Sequence, residues 1–313
     1  MIYLDYNATT PIDPAVAEAM LPFLHRHFGN PSSSHSLGVT TRKAIEVARA
    51  QVADLLGCRP EEILFTSGGS ESNNTVIKGV AASSREKGRH VITSAVEHPA
   101  VIEPCQALEA EGLEVTYLPV DGKGRVDPDE VARAITPGTI LITVMHANNE
   151  VGTVQPIAEI AAVARERGIP VHTDAAQSVG KIPVRVDDLG VDFLSVAGHK
   201  LYAPKGVGAL YIRGGRELPK LIHGAGHESN RRAGTENVLE IVGLGEAASL
   251  ARARLEETGR HIRAMRDRLH AALEDRLGRL RVNGDLESGL PNTLSVCFAG
   301  VDASTLLPEV GEH

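Results

Sequence analysis

Tryptophan is absent from this 313-residue sequence, and its other large aromatics are five Tyr and five Phe. So sparse a set leaves few platforms on which nucleic-acid bases could stack. A formal charge of −8, from 40 acidic against 32 basic residues, supplies no phosphate-seeking surface. Nucleic acid is therefore not an expected partner. Cysteine is scarce too. Cys58, Cys105 and Cys297 form no CxxC pair and have no ligand-type spacing, which argues against a disulfide framework and a structural zinc. Nowhere do the roughly 18 uninterrupted apolar residues of a membrane span occur. The opening MIYLDYNATTP has no basic stretch leading into an apolar core, so no membrane association is expected and a cytoplasmic location is. What remains is ordinary globular material, 42% hydrophobic and 23% charged, enough for one large domain and part of a second. It contains no internal repeat or low-complexity tract.

Short β-branched runs alternate with longer stretches of helical period, the pattern of an α/β protein. Strands are predicted over 63–67, 90–94, 114–118, 139–146, 170–174, 192–197 and 206–212. Most are continuous apolar runs, as strands covered on both faces tend to be. Helices are predicted over 44–56, 73–82, 100–111, 128–134 and 157–167, with Pro128 and Pro156 where a first turn tolerates proline. The resulting sheet is expected to be mostly parallel and buried. Beyond about residue 245 the character changes to a long charged helix, to about residue 277, and one strand-like run over 292–298. One helix and one unpaired strand are too little for an independent core, so the second unit reads as incomplete and its apolar strand as an exposed edge. The division expected is a large domain over 15–245 and a smaller one from 1–14 with 246–313. The end, LLPEVGEH, reads as a helix start.

The chemistry gathers at strand ends. The 63–67 strand runs into Gly68, Gly69, Ser70, Glu71 and Ser72 and then a helix, which leaves backbone N–H groups free at the positive end of a helix dipole, a seat for phosphate. Small residues at a turn are more often mere turn chemistry, and neither GxGxxG nor a P-loop is present. Asp174 closes an apolar strand and is followed by Ala175, Ala176 and Gln177. A second buried-looking strand delivers His199 and Lys200. Taken singly, such a lysine is usually a surface residue. Taken together, a carboxylate to keep a pyridine nitrogen protonated, an amine to form a Schiff base and a phosphate seat are what pyridoxal 5′-phosphate (PLP) requires. His98, four residues past a strand, either stacks on a flat ring or faces solvent at a helix start. The segment His146-Ala147-Asn148-Asn149-Glu150 ends another strand at the same edge, and an amide side chain there suits a ring hydroxyl or a substrate carboxylate. A metal site from His146, Glu150, His172 and Asp174 is disfavoured, because no HExxH-type helix presents them, and none is expected.

Seven segments carry a resemblance: LDYNATTP at 4–11, SGGSESNN at 67–74, EHPAV at 97–101, MHANNEVGT at 145–153, HTDAAQSVGK at 172–181, AGHKLYAPKGVGALY at 197–211 and RRAGTENV at 231–238. In order and spacing they resemble the cysteine desulfurases, class V aminotransferase-like PLP enzymes of fold type I. That resemblance implies a mostly parallel seven-stranded sheet sandwiched by helices, with an incomplete small α/β domain beside it. It implies that Lys200 bonds the cofactor, Asp174 binds the pyridine nitrogen and Gln177 the ring hydroxyl, while His98 stacks on the ring and acts in proton transfer. Asn149 is expected to contact cofactor and substrate. Gly69, Ser70 and His199 are expected at the phosphate, with Thr235 reaching across from the partner subunit of a homodimer. The reaction implied takes L-cysteine to L-alanine and passes sulfur to a protein cysteine, for iron–sulfur cluster or thiolation pathways, with an acceptor or scaffold protein as partner.

Two departures from the family pattern stand out. Ala197 occupies a position that is Ser in many relatives, which removes one hydroxyl donor at the phosphate and is expected to weaken cofactor retention. The family's persulfide-forming cysteine and substrate-clamping arginine lie beyond the position of residue 313, and Cys58, Cys105 and Cys297 lack the flexible Ser/Gly-rich surroundings of a sulfur-carrying loop. Full turnover by this chain is therefore not expected. Selenocysteine lyase shares the PLP apparatus and is an alternative, as is a non-catalytic PLP-binding or dimerisation protein.

Overall fold

The computed structural model describes residues 2–278 and 280–311. In chain order the elements are α1 (Pro14–His25), α2 (Ser36–Leu56), β1 (Ile63–Thr66), α3 (Gly69–Ser83), β2 (His90–Ser94), α4 (Pro99–Ala110), β3 (Glu114–Leu118), α5 (Pro128–Ala134), β4 (Thr139–Thr143), α6 (Ile157–Glu166), β5 (Val171–Asp174), α7 (Val186–Leu189), β6 (Phe193–Ala197), β7 (Gly208–Ile212), α8 (Val238–Leu277), β8 (Leu280–Asn283), β9 (Ser295–Phe298) and α9 (Ala303–Gly311). Seven strands form one sheet in the order β1-β7-β6-β5-β4-β2-β3. β7 runs antiparallel to both neighbours, and every other pairing is parallel, so six strands point the same way. Their C-terminal ends share one edge, where open α/β sheets bind ligands.

Alternate residues of each strand enter two apolar layers, which is why the strands read as unbroken apolar runs. Leu64, Val91, Leu141, Phe193 and Leu210 face α3 and α4, packing on Val76, Ile77, Val80, Val101 and Leu108. Phe65, Ile92, Ile142, Leu194 and Tyr211 face the opposite layer, with Ile45, Val52 and Leu56 of α2, Ile157 and Ile160 of α6, and Ile241 and Leu244 of α8. Burying a side chain of this size contributes roughly 1.5–3 kcal/mol, and such contributions, summed over both faces, hold the sheet.

Several boundaries differ from expectation for identifiable reasons. α2 begins at Ser36, not residue 44, because His35 caps it by accepting from the Gly38 N–H, and a left-handed Gly57 ends it. α3 begins at Gly69, not residue 73, so the small residues read as a turn are its first turn. α8 begins at Val238, seven residues before the expected start. Its small residues are there for packing: a Cβ at Gly245 would lie 2.6 Å from Ala48 of α2, and one at Gly243 would lie 2.7 Å from Met20 of α1. α1 itself, starting at Pro14 behind an Asp13 cap, was not anticipated.

The strand-like run near the C-terminal side is not unpaired. β9 pairs antiparallel with β8, from Leu280 opposite Phe298 to Asn283 opposite Ser295, and the intervening loop is held by Arg266 of α8, which donates to the carbonyls of Leu286 and Leu290. The Leu290 N–H donates to the Gly152 carbonyl, and Lys123 pairs with Asp285 at 2.6 Å. This hairpin is thereby fastened to the loops after β3 and β4. Among the described residues no helix is long and apolar enough to cross a membrane.

Candidate active site

Eight of the nine residues singled out in the sequence line one cavity of about 290 Å³ at the C-terminal sheet edge: Gly69, Ser70, His98, Asn149, Asp174, Gln177, His199 and Lys200. Thr235 is the exception. It is exposed in the loop before α8 and does not line the cavity. Ala197 lines it, 3.5 Å from where a Cβ on Gly69 would stand.

Each contributor arrives by a short path from a strand end. β1 delivers Gly68 and Gly69 at the start of α3. Gly68 has φ of +150°, and a Cβ there would meet nothing within 4 Å, so the approach to the helix N-terminus is bare backbone. The first N–H groups of a helix lack intrahelical acceptors and face this opening. Glu71, in the same first turn, bends back to accept from the Ser67 N–H at 2.8 Å and takes Arg232 at 2.8 Å. β5 ends at Asp174, which is 6% exposed. One carboxylate oxygen accepts from Asn73 Nδ2 of α3 at 2.6 Å and the other from the Ala176 N–H at 2.9 Å. β6 ends in a tight turn that carries His199 and Lys200. Burial lowers the pKa of Lys200, while Asp174, Asp5 and Glu150 pull the other way. Burial and the Lys200 charge likewise hold His199 below its ordinary value.

His98 unites both readings the sequence left open. It caps α4, with Nδ1 accepting from the Ala100 N–H at 3.0 Å, and its ring also borders the cavity. With Nδ1 committed as an acceptor, the neutral ring carries its proton on Nε2. Asn149 follows a turn pinned by Asn148, whose Oδ1 accepts from the N–H groups of Glu150 and Val151 at 2.9 Å. The Asn149 amide nitrogen donates to Glu150, which leaves its carbonyl oxygen without that partner.

Sequence reasoning missed four residues. Asn73 supports Asp174 from the next turn of α3, a role hidden by the late expected start of that helix. Asn7 is a hub: its carbonyl accepts from Lys200 Nζ and, at 2.9 Å, from Gln177 Nε2. Its side chain donates to the Asn149 carbonyl at 3.1 Å and Thr293 Oγ1 at 2.9 Å, and accepts from Asn292 Nδ2 at 2.7 Å. Lys181 reaches Gln177 Oε1 at 3.0 Å. Glu97 is buried below His98 and accepts from Ser94 Oγ at 2.6 Å and the Met145 N–H at 2.9 Å; burial pushes its carboxyl up to about 8. Only a motif comparison marked Asn7, because its long-range partners leave no local pattern.

The donor set fits PLP. A bare helix N-terminus lies near Lys200, and a fixed buried carboxylate and an amide bearing N–H groups complete the wall, in a cavity whose other lining residues, such as Ala8, Ala147 and Ala176, are small. His146 and His172 are not offered to a metal. Both are buried, and their ring nitrogens bond Ser178, Thr143 and Ser195 hydroxyls at 2.8–3.0 Å. Burial alone pushes them down to about 4 and about 3, so both rings are neutral. None of the three cysteines lines the cavity. Burial raises Cys58 and Cys105 to about 12, and Cys297 sits exposed on β9.

Comparison with known proteins agrees with this geometry. The family model described as aminotransferase class-V matches residues 2–313. Cysteine desulfurase IscS of Dictyoglomus turgidum is 52% identical over 98% of this chain and 78% of its own length. The IscS of Methanosarcina thermophila is 50% identical over 98% and 76%. Among solved structures, a NifS-like protein superposes with a TM-score of 0.97 at 40% identity, covering 99% of this chain and 85% of that one. SspA in complex with cysteine gives 0.86 at 40% identity, covering 100% and 87%. With the cavity, the sheet and these likenesses in agreement, the chain belongs to the class-V aminotransferase family, within its cysteine desulfurases.

Proposed function

We propose that the chain is a PLP-dependent cysteine desulfurase acting on L-cysteine. The observation that carries this is the convergence of Asp174 and Lys200, from adjacent parallel strands, on one cavity that opens on the α3 N-terminus. When bound, PLP supplies an electron-withdrawing ring, joined to the substrate amine, that stabilises negative charge at the substrate Cα. The protein's part is positional and electrostatic. Asp174, fixed on both oxygens by Asn73 and the Ala176 N–H, would hold the ring nitrogen. Burial lowers the pKa of Lys200, and its Nζ would bond the cofactor and would take up the substrate Cα proton. The backbone of Gly69 and Ser70, with His199, holds the phosphate. His98 covers the ring and, through Nε2, moves protons at the substrate. Asn149, with one amide N–H on Glu150, would present the other to the substrate carboxylate.

The sulfur-accepting thiol is not assigned to Cys58, Cys105 or Cys297. Iron–sulfur cluster assembly is the proposed destination of the sulfur, following the relatives named IscS. A homodimer is proposed, with Thr235 lending its hydroxyl to the partner's phosphate site. Support comes from apolar surface on α1 and α2, where Leu21, Leu24 and Val47 are each more than half exposed. The test is a proton NMR measurement of cysteine in D2O with the PLP-loaded protein. Loss of the Cα proton signal in the native chain, abolished by Lys200→Ala, is expected; no exchange above the free-PLP rate refutes the assignment.

A further inference from the structure

We propose that Lys181 is a positioning residue that fixes the Gln177 side chain with its NH2 group toward the ring hydroxyl of the cofactor, an inference that rests on the function proposed above. Gln177 and Lys181 lie four residues apart on successive turns after β5. Lys181 Nζ meets Gln177 Oε1 at 3.0 Å, and Gln177 Nε2 meets the Asn7 carbonyl at 2.9 Å. An ammonium has only donors and a carbonyl only lone pairs, so the two neighbours together select one of the two ways the amide can face. The reversed amide would set two donors together at Lys181 and two acceptors together at Asn7. With one NH2 hydrogen on Asn7, the other remains for the cavity, where Gln177 is part of the wall.

The chain is built to keep Lys181 there. Gly180 adopts φ of +76°, and a Cβ on it would come within 2.1 Å of Leu201 Cδ1, so the segment packs directly on the turn that bears Lys200. Lys181 N–H donates to the Ser178 carbonyl at 3.0 Å, and Ser178 is itself bonded to His146. Lys181 and Lys200 both line an adjoining cavity of about 210 Å³, so Lys181 approaches Gln177 without entering the space reserved for the ring. Burial and the Lys200 charge push Lys181 down to about 7; the neutral amine could also accept, but the Asn7 carbonyl has only lone pairs and selects the same orientation of the amide in either state. A residue that only filled space would not be a costly buried amine pointed at one oxygen.

The test separates the ring hydroxyl from the rest of the cofactor. Apoprotein is titrated with PLP and with 3-deoxypyridoxal 5′-phosphate, which lacks that hydroxyl, in the native chain, Lys181→Met and Lys181→Arg. The native chain should prefer PLP by about tenfold, the worth of one hydrogen bond. Lys181→Met should lose most of that preference by weakening PLP alone, and Lys181→Arg should restore it. Equal weakening of both ligands in Lys181→Met, or an unchanged preference, overturns the proposal. If Lys181→Met does not fold by circular dichroism, Lys181→Ala is read on the same two ligands with the same criterion. A native chain that binds neither ligand instead overturns the PLP reading itself, so the two failures are distinguishable.

Discussion

Asn7→Ala is the most informative single perturbation of the scaffold around the cavity. The side chain of Asn7 makes three hydrogen bonds, to the Asn149 carbonyl, to Thr293 Oγ1 and from Asn292 Nδ2. Each joins segments more than 140 residues apart, so no local element replaces them. At roughly 0.5–1.5 kcal/mol net apiece the full loss would be about 1.5–4.5 kcal/mol. Asn7 is half-buried and water recovers part of the loss, so about 1–3 kcal/mol is expected. For 313 residues, at about 2.1 cal/mol/K each, that lowers Tm by about 1.5–4.5 °C. Function should suffer beyond stability, because the same residue's carbonyl receives Lys200 and Gln177 and its backbone is steadied by the side chain. PLP affinity should therefore fall several-fold at a temperature where the variant is fully folded. The assay pairs thermal melts with PLP titration for Asn7→Ala, Thr293→Val and the double variant. Their effects should be less than additive, since one bond is shared. Melting within about 0.5 kcal/mol of the native chain, with additive effects, would show that the hub is not energetically real.

Three further outcomes follow from single contacts. Ala197→Ser should tighten PLP binding by about two- to tenfold in equilibrium titration, because it adds a hydroxyl at the cavity wall beside Gly69; unchanged binding would mean that the position does not reach the phosphate. Glu97 has a folded-state pKa near 8, above its unfolded value near 4.3, so between those limits the native state holds a proton the unfolded state has lost. Its contribution is thus fully present below about pH 4 and declines as pH rises to about 8, and Glu97→Gln, which keeps an acceptor for Ser94 and Met145, should flatten that slope in Tm measured across the range. Glu228 is buried against Arg49 at 2.8 Å and anchors the loop leading to Thr235 on the Phe65 N–H. Glu228→Gln should cost about 1.5–3 kcal/mol in urea melts, because the buried Arg49 guanidinium would keep only the exposed Glu46 as counter-charge, and Arg49→Met should relieve part of that loss when combined with it; strict additivity would contradict the pairing.

Much of this architecture is legible in local pattern. Strands buried on both faces must be apolar at every position, so β4, β5 and β6 announce themselves, and a polar residue where such a run stops, as at Asp174 or Lys200, marks the edge that binds. Helices whose faces are lined with small residues are harder. The beginning of α8 reads as a turn because Gly243 and Gly245 sit at close approaches to α1 and α2, a tertiary fact that propensity does not carry, and the beginning of α3 does so because Gly69 and Ser70 are ordinary turn residues. β8 escaped notice because Leu280–Asn283 is short and half polar, and only its pairing with β9 makes it a strand. Asp174, Lys200 and the phosphate seat were legible from their chemistry and Gln177 and His199 from the resemblance, whereas the contacts of Asn7, Asn73 and Lys181, which hold those residues in place, became visible only when residues distant in sequence or in adjacent turns were brought together. Thr235 lies outside the cavity of its own chain.

Borohydride reduction of the PLP-loaded protein, followed by peptide mass spectrometry, tests the central claim most directly. A single phosphopyridoxyl adduct on Lys200, lost when Asp174→Ala or Lys200→Ala abolishes the yellow chromophore, is predicted. An adduct spread over Lys181 and surface lysines, or none at all, would contradict it.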